Sequence, residues 1–365
     1  MIVLKILKRR EAFLFVTIVV VAAATIASKP QFWSNGNIIS MLISASLFGF
    51  LALGEAMVIV GRGIDLSVSA TLGLSALVVG TMANNGDLSI ETGFLLALGL
   101  GLVLGVVNGL LIVPGKVPPI IATLATLGVY GSLEFVYTNG AQVNNMPLDW
   151  MNFGNATWVG IPSVVWFFLI FTVLVWYFAR HTRLGRDIFA TGNNLRAAQS
   201  RGIATGKAIF ATYCISGMLA GIGGFLYICY NTNATATTGP GTNMQLTAIA
   251  IALIGGTAMQ GGRASFLGVA LASVFLAMTL NVAVFFNIPG IWDNAAEGLL
   301  ILIVVLADSA FAERLSRRRG MTRLVKIVRP SDAVVGRGTG DTPLVGPEEV
   351  RLSRTSQVKG GLEVG

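Results

Sequence analysis

The chain has 365 residues, of which 54% are hydrophobic and only 12% are charged. Because soluble domains carry about 25% charged residues, this composition excludes an ordinary soluble protein and indicates an integral membrane protein. The net charge of +8 does not indicate a nucleic-acid-binding protein, since the cations lie between apolar segments and not on one face with interleaved aromatic residues.

Apolar stretches of the length of a membrane-spanning helix, about 17 to 25 residues, recur along the chain. They predict an all-α polytopic membrane protein with about ten transmembrane helices. The first and eighth segments are short, so each is either a span or a re-entrant segment, and the first is expected to be a retained helix and not a signal peptide. The predicted segments are 12–27, 41–61, 66–83, 93–113, 120–137, 162–179, 208–230, 245–259, 264–286 and 294–311.

The positions of Lys and Arg predict the orientation of these helices. With the N-terminus in the cytoplasm, alternation of the ten spans places every Lys and Arg except Lys29 on the cytoplasmic side, as the positive-inside rule requires. Both termini are therefore expected in the cytoplasm. The predicted organisation is an N-terminal segment at 1–11, a transmembrane domain at 12–311 with a cytoplasmic loop at 180–207, and a tail at 312–365 whose composition predicts disorder.

One polar stretch, "GRDIFATGNNLRAAQSRGIATGK", interrupts the apolar segments and falls in the cytoplasmic loop. Within it, Asn194 is a suitable N-cap, residues 195–201 favour a short helix, and Gly202 suits a left-handed stop. The alternative is a solvated loop whose arginines only follow the positive-inside rule. The end of this stretch is not a phosphate-binding loop, because three residues instead of four separate its glycines and Ala208 follows Lys207.

Polar side chains within the predicted spans are costly in lipid and indicate either function or interhelical hydrogen bonds. Neither reading is favoured by the sequence. A catalytic or metal site is not indicated, because His181 is the only histidine and no catalytic constellation is visible. The candidates for a polar path through the membrane are Glu55, Asn108, Thr123, Thr126 and Asn281.

Glycines are frequent and their spacing predicts two uses. Runs such as Gly101 with Gly105, or Gly217 with Gly221, lie at spacings that let helix backbones approach closely. Other glycines cluster near predicted cytoplasmic turns and are better candidates for hinges. The hinge and turn candidates are Gly61, Gly63, Asp65, Gly255, Gly256, Gly261 and Gly262.

Four separated motifs in this sequence resemble one known family. They are "GIDLSV" at 63–68, "GVVNGLLI" with "VPPIIATLATLGVYG" at 105–131, "TRLGRDIFATGNN" with "RAAQSRGI" at 182–203, and "IALIGGTAMQGGRASFLG" at 251–268. In this order they resemble the inner-membrane permeases of bacterial ABC importers, in the branch that serves ribose, related monosaccharides and similar small polar solutes. The resemblance covers about residues 40–310.

The resemblance implies a transport subunit of the bacterial inner membrane, and not an enzyme. It implies no cofactor of the chain's own, since a partner ATPase binds ATP, and three protein partners: that ATPase, a periplasmic solute-binding protein, and a second permease copy or paralogue. The cytoplasmic loop would contain a coupling helix that contacts the ATPase. The residues that would form this contact are Gly185, Arg186, Asn194, Arg196, Ala197, Ala198, Arg201 and Gly202.

The sequence departs from the family pattern at a few positions. Arg62 stands where a small residue is usual, Ala264 replaces a glycine, and acidic residues are missing near Gln245 and Thr247. The solute stays open, since branched-chain amino acid permeases are distant relatives. The first rival class is an ion-coupled secondary transporter in which a carboxylate carries a proton, and a membrane enzyme is disfavoured because no catalytic constellation is visible. Those carboxylates would be Glu55, Glu134 or Glu297.

Overall fold

The computed structural model of this protein describes residues 10–286 together with the single positions 289, 292, 295, 298 and 299. Two 3-10 helices, Pro30–Trp33 and Pro240–Thr242, and a hairpin of β1 (Thr157–Trp158) and β2 (Ile161–Pro162) accompany the α-helices of this part. The α-helices are α1 (Arg10–Ser28), α2 (Asn35–Val60), α3 (Val68–Asn84), α4 (Ile90–Ile112), α5 (Pro119–Thr138), α6 (Leu148–Asn155), α7 (Ser163–His181), α8 (Arg183–Asn193), α9 (Leu195–Ser200), α10 (Thr205–Asn231), α11 (Met244–Ile254) and α12 (Phe266–Phe285).

The predicted all-α architecture is confirmed for the described residues, since each of the first nine predicted segments overlaps a helix, although the eighth, 245–259, extends five residues beyond the end of α11. Within this part of the chain, six helices are long and apolar enough to cross a membrane, namely α2, α4, α5, α7, α10 and α12. Three shorter apolar helices accompany them, at 14–28, in α3 and in α11. Most of the tenth predicted segment, Glu297 within it, the predicted tail and most of the N-terminal segment lie outside the described residues.

Helices α2 and α10 form the centre of the protein. They are the longest helices described, with 26 and 27 residues. The most apolar 18-residue stretches of these two helices are 89% and 72% buried inside the chain. The corresponding 18-residue stretches of α4 and α5 are only 39% and 28% buried. Because a helix that is apolar on all sides must be covered by protein or lipid, α2 and α10 are covered by the other helices while the outer helices present apolar side chains outward.

Helix α10 packs on α4 through glycines, as the spacing predicted. A Cβ atom at Gly101 would overlap the backbone carbonyl of Gly217, and one at Gly105 would overlap the carbonyl of Tyr213. The two backbones therefore touch directly, which is how small residues bring membrane helices together. This confirms the predicted role of these glycines in close packing.

The short helices α3 and α11 each follow a central helix and begin inside the protein. After the end of α2, residues 61–67 fold back along it, so that the backbone N–H of Asp65 reaches the carboxylate of Glu55. After the end of α10, the chain turns inward until Gly239 packs against the backbone carbonyl of Ser69 near the start of α3. With 17 residues, α3 is about 25 Å long and shorter than a hydrocarbon core of about 30 Å.

Candidate functional site

Helix α9 lies in the polar stretch that the sequence singled out, and its ends are built as predicted. Asn194 is the N-cap, because its Oδ1 accepts a hydrogen bond from the backbone N–H of Ala197 at 3.0 Å. Gly202 follows the helix with a φ of +76°, the left-handed conformation that stops a helix at low cost. The helix itself ends at Ser200, one residue before the predicted Arg201.

The residues predicted to contact an ATPase divide into two groups by exposure. Ala198 is only 3% exposed, and a Cβ atom at Gly185 would overlap the carbonyl of Phe178 at the end of α7. These two residues therefore pack against their own chain, which corrects the expectation that Ala198 offers close packing to a partner. The exposed members of the set are Arg186, Asn194, Arg196, Ala197, Arg201 and Gly202.

The end of α8, just before α9, is held to the end of α2 by Arg62. The Nε of Arg62 donates to the carbonyl of Gly192 at 2.8 Å, and its Nη2 donates to the carbonyl of Asn193 at 3.3 Å. The backbone N–H of Gly262 also donates to the carbonyl of Val60, at 3.0 Å. The end of α2, the end of α8 and the turn before α12 thus form one junction directly beside α9.

The predicted hinge glycines occupy this junction and the neighbouring turns. Gly261 and Gly262 have φ of +86° and +75°, where a side chain would strain the backbone. A Cβ atom at Gly261 would also lie 2.7 Å from the Cγ of Arg62, so a side chain there would force Arg62 to shift. The full predicted set occupies three turns, with Gly61, Gly63 and Asp65 after α2, Gly255 and Gly256 after α11, and Gly261 and Gly262 before α12.

Asp65 lies at the start of α3 in a buried polar network. Its Oδ1 accepts hydrogen bonds from the backbone N–H of Ser67 at 3.0 Å and from the Oγ of Ser67 at 2.7 Å. Its Oδ2 accepts from the Oγ of Ser216 in α10 at 3.0 Å. The N–H of Asp65 donates to the two carboxylate oxygens of Glu55 at 3.3 and 3.2 Å. Asp65 therefore places a carboxylate at the N-terminus of α3, where the helix dipole favours negative charge.

The network continues into α4 and α5. Asn108 in α4 donates from Nδ2 to the Oγ of Ser67 at 2.7 Å, and accepts at its Oδ1 from the Oγ1 of Thr126 in α5, also at 2.7 Å. Thr123 donates to the carbonyl of Ile64 at 3.2 Å. All of these side chains are buried. The network thus connects the turn after α2 with three further helices.

The structure brings together four of the five predicted path residues, Glu55, Asn108, Thr123 and Thr126, around Asp65. Asn281 lies elsewhere: it forms two hydrogen bonds with Asn37, at 2.8 and 3.0 Å, which join α12 to the start of α2. This arrangement matches the interhelical hydrogen bonding that was the alternative reading for Asn281. Ser67 and Ser216 were not among the residues predicted from the sequence, although Ser67 lies within the "GIDLSV" motif.

Comparisons with known proteins place this architecture in a family. The family model described as "Branched-chain amino acid transport system / permease component" matches residues 37–305. The autoinducer 2 import system permease protein LsrC of Enterobacter sp. (strain 638) is 33% identical over 315 residues, covering 86% of this chain and 90% of the relative. The proteins of that name from Klebsiella pneumoniae and Photorhabdus luminescens are 31% and 28% identical, covering 86% and 82% of this chain and 90% and 91% of the relatives. No solved structure matches the chain.

These matches confirm the resemblance inferred from the four motifs, all of which lie within the matched residues. The chain is a multi-pass permease subunit of the inner membrane, and it is a transport subunit and not an enzyme. ATP hydrolysis belongs to a separate ATPase, and importers of this kind also use a solute-binding protein. The chain belongs to the family of branched-chain amino acid transport system permease components.

Proposed function

We propose that this chain forms the translocation path of an ATP-binding cassette importer for a monosaccharide or a similar small polar solute. A periplasmic binding protein delivers the solute, and two permease chains, either identical or paralogous, work above two ATPase subunits. The single observation that carries this proposal is the exposed and capped helix α9, which the Arg62 junction ties to the end of the central helix α2. An ATPase that moves α9 would therefore act directly on the centre of the permease.

The proposed topology has ten membrane spans with both termini in the cytoplasm, and residues 12–311 as the permease domain. It is supported by the distribution of positive charge, because this topology places every Lys and Arg except Lys29 on the cytoplasmic side. It also puts α8 and α9 on the cytoplasmic side, where an ATPase can reach them. The ten proposed spans are the six long helices, the shorter apolar helices α1, α3 and α11, and the predicted segment 294–311.

The proposed coupling surface consists of the exposed residues of α8 and α9. Arg186, Arg196 and Arg201 are exposed there and suit acidic groups on a partner. Charges at the rim of an interface contribute more to the association rate and to specificity than to affinity. The small side chain of Ala197, which is also exposed, allows a partner to approach the helix backbone.

The proposed solute is small, polar and uncharged. The polar side chains buried in the membrane domain are mostly hydroxyl and amide groups, which exchange hydrogen bonds with a sugar without holding it tightly. The relatives named above are permeases of autoinducer 2 import systems, so autoinducer 2 is the first solute to test. A branched-chain amino acid is the competing solute that the family description suggests.

The decisive experiment is solute uptake by proteoliposomes. We expect uptake of radiolabelled autoinducer 2 or D-ribose only when the permease, its ATPase, its binding protein and ATP are all present. Uptake driven by a proton gradient without those partners would instead support an ion-coupled secondary transporter. Uptake of leucine and of neither sugar-like probe would contradict the proposed solute class.

A further inference from the structure

The 3-10 helix Pro240–Thr242, which precedes α11, begins beside the first turn of α3. Gly239, just before α11, packs against the carbonyl of Ser69 in the first turn of α3. The Cγ of the next residue, Pro240, lies 3.0 Å from the place that a Cβ atom would take at Gly131 in α5. In membrane transporters, helices that begin at mid-depth direct their N-terminal groups toward a solute or ion site.

Helix α3 and two helices that pack on it, α5 and α11, carry buried oxygen atoms without hydrogen-bond partners. Among the described residues, both carboxylate oxygens of Glu134, the Oγ of Ser69 and the Oε1 of Gln245 have no partner. Glu134 and Ser69 are 0% exposed and Gln245 is 7% exposed. Buried polar groups are normally hydrogen-bonded, so unpaired oxygen atoms on α3 and on two helices that pack on it need an explanation.

The carboxylate of Glu134 faces the first turns of α3. Its Oε1 lies 2.6 Å from the place that a Cβ atom would take at Gly73. Gly73 is four residues after Ser69 and therefore on the same face of the helix. The absence of a side chain at Gly73 is what leaves room for the carboxylate. Gln245 belongs to the first turn of α11, which packs on α3. Ser69 and Glu134 thus place unpaired oxygen atoms along one face of α3, and the unpaired oxygen of Gln245 lies on a helix that packs on α3.

We propose that Ser69, Glu134 and Gln245 form a solute-contact site for a neutral solute with several hydroxyl groups. Each solute hydroxyl would donate the hydrogen bond that one of these oxygen atoms lacks, and Ser69 can also donate in return. This proposal rests on the proposed function, and under it these three residues contact the transported solute.

The charge around the site favours a neutral solute over an amino acid. An amino acid carries a carboxylate, and the N-terminus of α3 would be the natural place for it. That N-terminus is already occupied by the carboxylate of Asp65, which accepts two hydrogen bonds from Ser67. A second carboxylate there would meet Asp65 and Glu134, whereas hydroxyl groups would meet only acceptors they can satisfy.

The test uses the reconstituted complex of permease, ATPase and binding protein, with radiolabelled autoinducer 2 and D-ribose as probes. Glu134→Gln keeps the shape of the side chain but replaces one of its two oxygen atoms with an amide nitrogen, and we expect it to lower the uptake rate several-fold, up to about tenfold, the change that corresponds to losing one hydrogen bond. Ser69→Ala and Gln245→Leu should lower uptake in the same direction, while expression and co-purification of the ATPase stay at wild-type levels. The matched control is Ser132→Ala in the same helix as Glu134, because Ser132 is exposed and bonded only to the carbonyl of Gly128.

The outcomes separate this site from the proposed function. Wild-type uptake of a probe with unchanged uptake by Glu134→Gln, Ser69→Ala and Gln245→Leu would overturn the site and leave the proposed function standing. Uptake of neither probe by the wild-type complex would contradict the solute class before any variant is compared. If Glu134→Gln fails to reach the membrane, Ser69→Ala and Gln245→Leu, which alter no charged group, decide the question by the same assay.

Discussion

The guanidinium of Arg62 bridges two helices that are far apart in the chain, because its Nε donates to the carbonyl of Gly192 at 2.8 Å. Arg62 itself has a φ of +71°, which is unfavourable for a residue with a side chain. Its second hydrogen bond, to Asn193, satisfies another carbonyl at the end of α8. The chain therefore accepts backbone strain at the end of α2 in order to hold the residues that lead into α9.

We predict that removing the guanidinium of Arg62 uncouples ATP hydrolysis from transport. Arg62→Gly should lower solute uptake several-fold while the ATPase still co-purifies, since about 1.5–3 kcal/mol of hydrogen bonding to a charged group is lost. Glycine adopts φ +71° without strain, so the effect of Arg62→Gly reports the loss of the guanidinium and not a new backbone strain. Arg62→Ala would remove the guanidinium and keep the strain. The measurement is the ratio of solute transported to ATP hydrolysed in proteoliposomes, with Arg183→Ala as an exposed control; an unchanged ratio in Arg62→Gly would refute the role.

A second prediction separates the two alanines of α9. Ala197→Trp should reduce co-purification of the ATPase about tenfold or more with little change in thermal stability, because Ala197 is exposed and an overpacked contact costs about 1–3 kcal/mol. Ala198→Glu should instead lower the melting temperature of the permease alone, because Ala198 is buried in its own chain. Wild-type ATPase binding by Ala197→Trp would mean that this face of α9 is only solvated.

The caps of α9 give a third prediction. Asn194→Ala removes the hydrogen bond to the N–H of Ala197 and should cost about 1 kcal/mol of local helix stability. Gly202→Val forces a β-branched residue into φ +76° and should cost at least as much. Hydrogen exchange at residues 195–200 should rise in both variants, and ATPase association should fall. Asn194→Ser, which retains a capping oxygen, should restore both; failure of this rescue would argue against the cap.

The buried network around Asp65 gives a fourth prediction. Asn108→Ala removes one hydrogen bond each to Ser67 and Thr126 and should lower the free energy of unfolding by about 2 kcal/mol. The double variant with Ser67→Ala should cost less than the sum of the single changes, because the two residues share one hydrogen bond. Asn281→Ala, which breaks the separate contact with Asn37, should add independently. Thermal unfolding in detergent measures the stability of the single and double variants. Fully additive effects of Asn108→Ala and Ser67→Ala would contradict the network.

The proposed topology is testable with fused reporters. A reporter that is active only in the cytoplasm should work when it is inserted after Gly202 and should fail when it is inserted after Asn145, since an odd number of proposed spans separates the two positions. A periplasmic reporter should give the reverse result. Activity of the cytoplasmic reporter at Asn145 would break the ten-span arrangement.

Features that depend on neighbouring residues could be predicted from the sequence. The apolar segments gave the helices because backbone groups in lipid must be paired within the segment, whichever helix lies beside it. The ends of α9 followed from Asn194 and Gly202, because a cap and a left-handed stop act on the adjacent turn. Close backbone packing at the glycines of α4 and α10 followed from their spacing, since only small residues allow it, but the pairing of these two helices did not.

What only the tertiary structure decided is which side chains meet across the chain. Ala197 and Ala198 are identical and adjacent, and their opposite exposure depends on the helices packed beneath α9. Arg62 contacts a residue 130 positions away, and α3 begins beside Gly239 because two turns fold inward from opposite ends of the protein. A sequence encodes the periodicity of each helix directly, whereas the depth at which a helix begins and the partner of a buried polar group depend on how all the helices pack together.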